Sequence, residues 1–175
     1  MGFRSGFATI VGRPNVGKST LLNLLTGEKI SIISSKPQTT RNTIKAIVTT
    51  DEYQVVFIDT PGIHRPKNKL GDYMQKSAIS TLDEVDVILY MVEATDKTIG
   101  PGDMSIIEIL KKLSKPVILL INKVDLVDKP GLLPLIDEYN KAMNFEHIIP
   151  ISALNIETKE LVLNETVKYL PEGPA

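Results

Sequence analysis

Residues 12–19 read Gly12-Arg13-Pro14-Asn15-Val16-Gly17-Lys18-Ser19 and match the pattern G-x-x-x-x-G-K-[ST]. The glycines of such a loop let the backbone turn tightly, so that successive N–H groups face a phosphate at the start of a helix. The lysine then contacts the β- and γ-phosphates, and the last hydroxyl binds Mg²⁺. An apolar run precedes the motif and a helical pattern follows it, as this mechanism requires. The sequence therefore predicts a phosphate-binding loop made of Asn15, Val16, Gly17, Lys18, Ser19 and Thr20.

The rest of the chain alternates between short apolar runs and segments with helical spacing. We predict strands at 7–11, 43–49, 53–58, 85–92, 116–121 and 147–151, and helices at 18–25, 70–82, 103–113, 132–143 and 158–170. Four runs are almost continuously apolar, which is typical of parallel strands covered on both faces. The link between 49 and 53 is too short for a crossover, so that pair should be antiparallel. We expect an α/β, Rossmann-like P-loop NTPase fold with six strands, five parallel and one antiparallel at an edge, and helices on both faces.

Length and composition limit the classes of function. The chain has 175 residues, a formal net charge of −1 and no cysteine. This length suits one domain, which we expect to span residues 1–170, with residues 171–175 beginning a linker to a further domain. The near-neutral charge argues against binding DNA, or RNA by charge alone, because phosphate backbones need clustered Lys and Arg. The absence of cysteine, of a signal peptide and of a membrane-spanning run favours a cytoplasmic protein.

A second phosphate-side element, Asp59-Thr60-Pro61-Gly62, closes the predicted strand 53–58. A carboxylate at the end of a strand lies on the ligand-binding edge of an open α/β sheet. Asp59 could hold a water molecule bound to Mg²⁺, and the N–H of Gly62 could donate to the γ-phosphate. Alone, these residues would also make an ordinary turn, but they follow the phosphate loop by one hairpin.

The polar segment 34–42 is long for a compact domain, which indicates a functional loop or simple solvent exposure. A threonine there would complete the coordination of Mg²⁺ only when a γ-phosphate is present, so the segment would act as a switch. We assign this role to Thr40, with Thr39 as the alternative. Lys18, Thr40 and Gly62 are therefore the predicted catalytic groups.

Two further elements predict recognition of guanine. Asn122-Lys123-Val124-Asp125 follows strand 116–121, and its aspartate can accept hydrogen bonds from the ring N–H and the amine of guanine. Adenine lacks this pair, and a missing buried partner can discriminate by about 10⁴ to 10⁵. Lys123 would lie over the base and Asn122 would hold the loop, although Asp125 could also simply cap a helix.

The last predicted element, Ser152-Ala153-Leu154, follows strand 147–151. The N–H of Ala153 is placed to donate to the oxygen of guanine, between Ser152 and Leu154. Three small or apolar residues indicate little alone. Their order along the chain matters more, because each element closes its own strand.

The five elements in this order resemble the translation-factor-related GTPases. Three longer stretches, residues 31–41, 59–67 and 169–174, are similar to bacterial Era GTPases. The nucleotide motifs indicate only the superfamily, whereas these stretches point to the Era family. The resemblance extends over nearly the whole chain.

This resemblance implies a slow GTPase that binds GTP and GDP with Mg²⁺ and acts as a conformational switch. Family members carry a KH domain after this domain, so the implied partners are small-subunit ribosomal RNA and the 30S subunit, with a role in ribosome maturation. A peripheral membrane contact also belongs to this implied set. The alternative for the chain is a complete single-domain GTPase.

The resemblance also bears on hydrolysis. Ile63 occupies the place where Ras-like proteins carry a water-orienting glutamine, which leaves open a guanine-nucleotide-binding assembly module that does not hydrolyse. Related GTPases with the same Pro-Asn-x-Gly-Lys pattern bind K⁺ through the asparagine, and Asn15 is its counterpart here. Asn15 could instead stabilise the loop through local hydrogen bonds.

Overall fold

The computed structural model describes residues 3–13, 17–26, 43–59, 82, 84–96, 98–123, 129–152 and 157–172. Strands and helices alternate along these ranges. They are β1 (Arg4–Val11), α1 (Lys18–Thr26), β2 (Thr43–Thr49), β3 (Tyr53–Asp59), β4 (Val87–Glu93), α2 (Pro101–Lys111), β5 (Val117–Asn122), α3 (Lys129–Ala142), β6 (His147–Pro150) and α4 (Glu157–Val167).

The strands form one six-stranded sheet in the order β2-β3-β1-β4-β5-β6. β1 pairs in parallel with β3 and β4, and β4, β5 and β6 continue the parallel array. β2 lies at the edge and pairs antiparallel with β3. The predicted fold is confirmed, including the single antiparallel edge strand.

Two hydrophobic clusters cover the two faces of the sheet. Helices α1 and α4 contribute to one cluster, and α2 and α3 contribute to the other. Along β4 the side chains alternate, so that Val87 and Leu89 join the first cluster while Ile88 and Tyr90 join the second. Because both faces are buried, a central strand needs apolar residues at every position, as its near-continuous apolar sequence indicates.

The carboxyl ends of the parallel strands meet at one edge of the sheet, which we call the rim. The pairing register sets Val11 beside Tyr90, Glu93 beside Asn122, and Ile121 beside Pro150. After β1 the chain forms β2 and β3 on one side of that strand, and it then forms β4, β5 and β6 on the other side. The strand order therefore reverses next to β1. Ligands of open α/β sheets bind at this kind of reversal.

Several element boundaries differ from the prediction. β1 begins at Arg4 rather than residue 7, because the N–H groups of Arg4 and Ser5 donate to the carbonyls of Glu52 and Pro171, at 3.1 Å each. A local apolar pattern cannot indicate these partners, because they lie far away in the sequence. The segment after α4 also packs beside β1, where Glu172 bridges to Arg4.

Helix α3 begins at Lys129, three residues before its predicted start at residue 132. The prediction began the helix after Pro130 and Gly131, because both are poor helix formers. Proline is nevertheless well tolerated in the first turn of a helix, where its missing N–H would have no helical partner. The predicted helix 70–82 lies outside the described residues except for Leu82, which is helical. In the ranges given above, no helix combines the length and apolar character needed to cross a bilayer.

Candidate functional site

The phosphate loop leaves β1 at Gly12 and enters α1 at Lys18. The ammonium of Lys18 donates to the carbonyl of Gly12 at 2.6 Å, which joins the two ends of the loop. The N–H of Leu21 donates to the carbonyl of Gly17 at 2.9 Å and forms the first helical turn. The predicted strand–loop–helix context of the motif is therefore present.

Gly17 has a backbone conformation that explains the glycine. Its φ is +108°, a region that residues with side chains rarely adopt. A Cβ added here would lie 2.5 Å from Nδ2 of Asn122. The phosphate loop therefore packs directly against the end of β5, and only a residue without a side chain allows this contact.

Asn122 is the last residue of β5 and is 3% exposed. Its carbonyl accepts a hydrogen bond from the N–H of Ala94 at 2.7 Å, which links the ends of β4 and β5. Asn122 thus lies between the phosphate loop and the neighbouring strand, and its loop-holding role stays a prediction.

Lys123 follows immediately and has a left-handed backbone, with φ of 66°. This conformation is uncommon outside glycine and concentrates at functional sites. The ammonium of Lys123 forms an ion pair with Oε1 of Glu93 at 2.7 Å, and Oε2 of Glu93 accepts from the hydroxyl of Thr95 at 3.3 Å. Glu93, whose other oxygen is bound by Thr95, thus holds the ammonium of Lys123 at the rim.

Glu93 is a further residue at the rim, and the sequence alone did not single it out. It closes β4 just as Asn122 closes β5, and the two residues pair in the sheet register. The rule that site residues follow strand ends would have found it, had the rule been applied to every parallel strand.

Ser152 lies at the rim after β6. The N–H of Ile151 donates to the carbonyl of Ile121 at 2.8 Å, and the buried hydroxyl of Thr158 donates to the carbonyl of Ser152 at 2.8 Å. The second contact ties the chain after β6 to the first turn of α4. Thr158 was also missed, since its role depends on a tertiary contact with the backbone.

Two residues expected to bind Mg²⁺ belong to elements that begin or end at this edge. Ser19 is exposed in the first turn of α1, and Asp59 ends β3, the strand beside β1. A hydroxyl and a carboxylate are hard oxygen ligands of the kind that Mg²⁺ prefers. The residues present therefore fit a magnesium site.

The remaining predicted site residues lie outside the described residues. They are Asn15, Val16, Thr39, Thr40, Gly62, Ile63, Asp125, Ala153 and Leu154.

Comparison with known proteins agrees with the geometry. Residues 7–123 match the model of a family described as 50S ribosome-binding GTPase. GTPase Era of Ruminiclostridium cellulolyticum and GTPase Era of Caldicellulosiruptor saccharolyticus are each 55% identical to this chain over 174 residues. The alignments cover 99% of this chain but 58% of each relative, so the chain spans less than two thirds of their length.

Two crystal structures of Era are similar to this structure. The one in complex with MgGDPNP and nucleotides 1506–1542 of 16S ribosomal RNA has a TM-score of 0.80 at 46% identity, covering 99% of this chain and 59% of the other. That of an Aquifex aeolicus Era variant bound to GDP·AlF₄⁻ has a TM-score of 0.76 at 45% identity, covering 98% and 59%. Since the family model matches more than half of its residues, this chain belongs to the 50S ribosome-binding GTPase family, as a homologue of bacterial GTPase Era.

Proposed function

We propose that this chain is the GTP-binding and GTP-hydrolysing switch domain of an Era-type protein. The observation that carries the proposal is the contact between Gly17 of the phosphate loop and Asn122 at the end of β5. This contact joins the phosphate-binding motif to the base-reading motif at one rim. A single nucleotide bound across the two motifs accounts for both.

The phosphates would be held by the N–H groups of the loop from Asn15 to Thr20 and by the ammonium of Lys18. At the start of α1 these N–H groups carry the positive end of the helix dipole, which favours an anion. The hydrogen bond from Lys18 to Gly12 keeps the ammonium beside the loop.

Ser19, Asp59 and Thr40 would hold Mg²⁺, with Asp59 acting through a water molecule. Bound there, the ion would neutralise negative charge on the β- and γ-phosphates. The Era structure similar to this one contains MgGDPNP, which supports the same cofactor here.

Asp125 would recognise guanine, with Lys123 over the base and Asn122 holding the loop. The backbone of Ser152, Ala153 and Leu154 would lie at the oxygen of the base. The left-handed backbone of Lys123 and its ion pair with Glu93 support a preformed base-binding side. A preformed site loses less conformational entropy on binding.

Hydrolysis would depend on Lys18, Thr40 and Gly62. Because Ile63 cannot hydrogen-bond to the attacking water, K⁺ at Asn15 would supply the charge stabilisation instead. In the GTPase Ras, an arginine supplied by a partner raises the rate by about 10³ to 10⁵. We expect a smaller gain from K⁺, since a monovalent ion makes no directed hydrogen bonds.

In the whole protein this domain would control contact with small-subunit ribosomal RNA and the 30S subunit in the cytoplasm. The similar Era structure was solved with a fragment of 16S ribosomal RNA, which supports the RNA partner. We also propose a peripheral membrane contact, and we do not propose DNA as a partner.

Guanine recognition is tested with Asp125→Asn. The amide cannot accept both hydrogen bonds of guanine, so GTP affinity falls, while xanthosine triphosphate gains relative to GTP through its extra carbonyl. Asp128→Asn, three residues further along the chain, is the matched control and keeps wild-type affinities. Equal GTP affinity of Asp125→Asn and wild type would overturn the assignment.

Hydrolysis is tested by single-turnover assays with Mg²⁺, in KCl and in NaCl at equal ionic strength. We expect turnover in both salts, faster in KCl, with the KCl effect lost in Asn15→Ala. Binding without turnover in either salt would identify the chain as a non-hydrolysing assembly module instead.

A further inference from the structure

The side chain of Arg13, the second residue of the phosphate loop motif, points toward α2 and forms two ion pairs there. Its Nε donates to Oδ2 of Asp103 at 2.8 Å, and its Nη2 donates to Oδ2 of Asp96 at 2.5 Å. Asp103 is 1% exposed, whereas Arg13 and Asp96 are 33% and 26% exposed. One arginine therefore joins the loop to a buried carboxylate on α2 and to a second one before α2.

Asp103 is itself fixed from the other side. Its Oδ1 accepts a hydrogen bond at 2.6 Å from the hydroxyl of Tyr90, which is fully buried on β4. The ring of Tyr90 packs edge-on against Tyr139 of α3, with 6.3 Å between centroids. Asp103 also lies in the first turn of α2, where the helix dipole favours a negative charge. Arg13 thus holds one oxygen of the Asp103 carboxylate, and Tyr90 of β4 holds the other.

The segment that carries Asp96 is anchored as well. The hydroxyl of Thr98 and the N–H of Ile99 donate to Oε1 of Glu138 on α3, at 2.6 and 3.2 Å. The aliphatic part of Arg13 passes over Gly102, where an added Cβ would lie 3.0 Å from Cδ of the arginine. The guanidinium reaches both carboxylates because the second residue of α2 is a glycine, which leaves room for the arginine side chain.

The electrostatics agree with this arrangement. Burial lowers the pKa of Arg13, but the carboxylates of Asp103 and Asp96 outweigh it and raise the pKa overall. The pKa of Asp96 is raised by burial and by neighbouring carboxylates, against the lowering effect of Arg13. The arginine thus offsets the repulsion between two acidic groups that would otherwise lie close together without a cation.

We propose that Arg13 is a positioning residue for nucleotide binding, which sets the direction of the phosphate loop by fastening it to α2 through Asp103 and Asp96. The inference rests on the proposed function and assigns to the site a support that lies behind the loop. Loop N–H groups bind phosphate well only when they already point at it. In enzymes, a misplacement of about 1 Å can cost about 100-fold in rate. Arg13 contacts no nucleotide in this role and acts through the loop backbone.

The test measures the dissociation constant of Mg²⁺·GDP and of Mg²⁺·GTP for wild type, Arg13→Gln and the double variant Arg13→Gln/Asp103→Asn. Arg4→Gln, at the other end of β1, is the matched control. Urea unfolding of each nucleotide-free variant separates stability from affinity. If wild type itself fails to bind GDP, the proposed function fails; if wild type binds, the variants test Arg13 alone.

We expect Arg13→Gln to weaken both nucleotides by about 10-fold to 100-fold, with the ratio of GTP to xanthosine triphosphate affinity unchanged. Arg13→Gln leaves the Asp103 carboxylate buried without its cation, so stability also falls. The double variant removes that buried charge and regains stability, but its nucleotide affinity stays low. Affinity that returns together with stability would reduce Arg13 to a structural role and overturn the proposal.

Arg13→Lys keeps the test decisive if Arg13→Gln does not fold. Lysine keeps the charge but lacks the planar fork that serves two carboxylates at once. We expect a folded protein whose GDP affinity is several-fold weaker than that of wild type. Wild-type affinity in Arg13→Lys, or in a folded Arg13→Gln, would contradict the proposal.

Discussion

An arginine and a glycine, Arg4 and Gly6, lie in the first residues of β1, and a second such pair, Arg13 and Gly17, lies in the phosphate loop that follows β1. The two pairs are held in different ways. At the rim, Arg13 contacts two carboxylates and Gly17 contacts the side chain of Asn122. At the opposite end, Arg4 donates to the carbonyls of Lys168 and Leu170, at 3.3 and 2.7 Å.

The difference separates two uses of the same residue types. Backbone carbonyls at the far end hold the segment after α4 against the sheet, which stabilises the fold. Charged and amide side chains at the rim orient a loop whose backbone must meet a ligand. Substitutions at the rim should therefore change nucleotide affinity, and substitutions at the far end should change stability alone.

The largest effect is expected for Lys18→Ala. Loss of a hydrogen bond to a charged group costs about 1.5 to 3 kcal/mol, which corresponds to about 10- to 150-fold in GTP affinity. Arg4→Ala also removes a cation but should leave the affinity within about twofold, since Arg4 lies at the opposite end of β1. Titration with a fluorescent GTP analogue measures both, and a comparable loss in the two variants would erase the contrast between the ends.

The two glycines give the next effect. Gly17→Ala forces a side chain into a left-handed backbone, at a cost of about 1 to 2 kcal/mol, and into contact with Asn122, so GDP affinity and stability both fall. In Gly6→Ala the new methyl would meet Asp86 and press on Leu170 and Pro171, at 3.0 and 3.1 Å. Gly6→Ala should therefore lower the urea midpoint with GDP affinity unchanged. A weakened affinity in Gly6→Ala would show that the two ends are coupled.

Arg4→Gln is expected to lower the free energy of unfolding by about 1 kcal/mol, the typical value of an intramolecular hydrogen bond. The loss should be concentrated in the segment after α4, because Leu170 and Lys168 accept the bonds. Hydrogen exchange should accelerate at Ser5, whose N–H donates to Pro171. Unchanged exchange at Ser5 would count against this anchoring role.

The smallest effect concerns Glu138, which holds the segment that carries Asp96. Its pKa is lowered from 4.5 by the hydrogen bond from Thr98 and then by that from the N–H of Ile99. A lowered pKa means that the contribution to stability is present above about pH 4.5 and disappears as the pH falls through the lower, folded-state value. Urea midpoints of wild type and Glu138→Gln should differ slightly at pH 7 and converge toward pH 3. A difference that does not depend on pH would contradict this.

The fold was predictable from residue types alone because its signals are local. Buried parallel strands need apolar residues at consecutive positions, and the Gly12–Ser19 motif marks where one strand ends and a helix begins. The antiparallel edge strand β2 and the placement of Asn122, Lys123 and Ser152 at one rim follow from those patterns and from link lengths.

The tertiary structure decided which side chains support the site. Arg13 occupies a position of the motif that any residue type can fill. No local sequence pattern pairs it with Asp103, which lies 90 residues away in the chain. The same holds for Lys123 with Glu93, for Thr158 with Ser152 and for Arg4 with the segment after α4. Periodicity and motif spacing report neighbours along the chain, whereas an ion pair or a hydrogen bond to a distant carbonyl exists only after the strands have been set side by side.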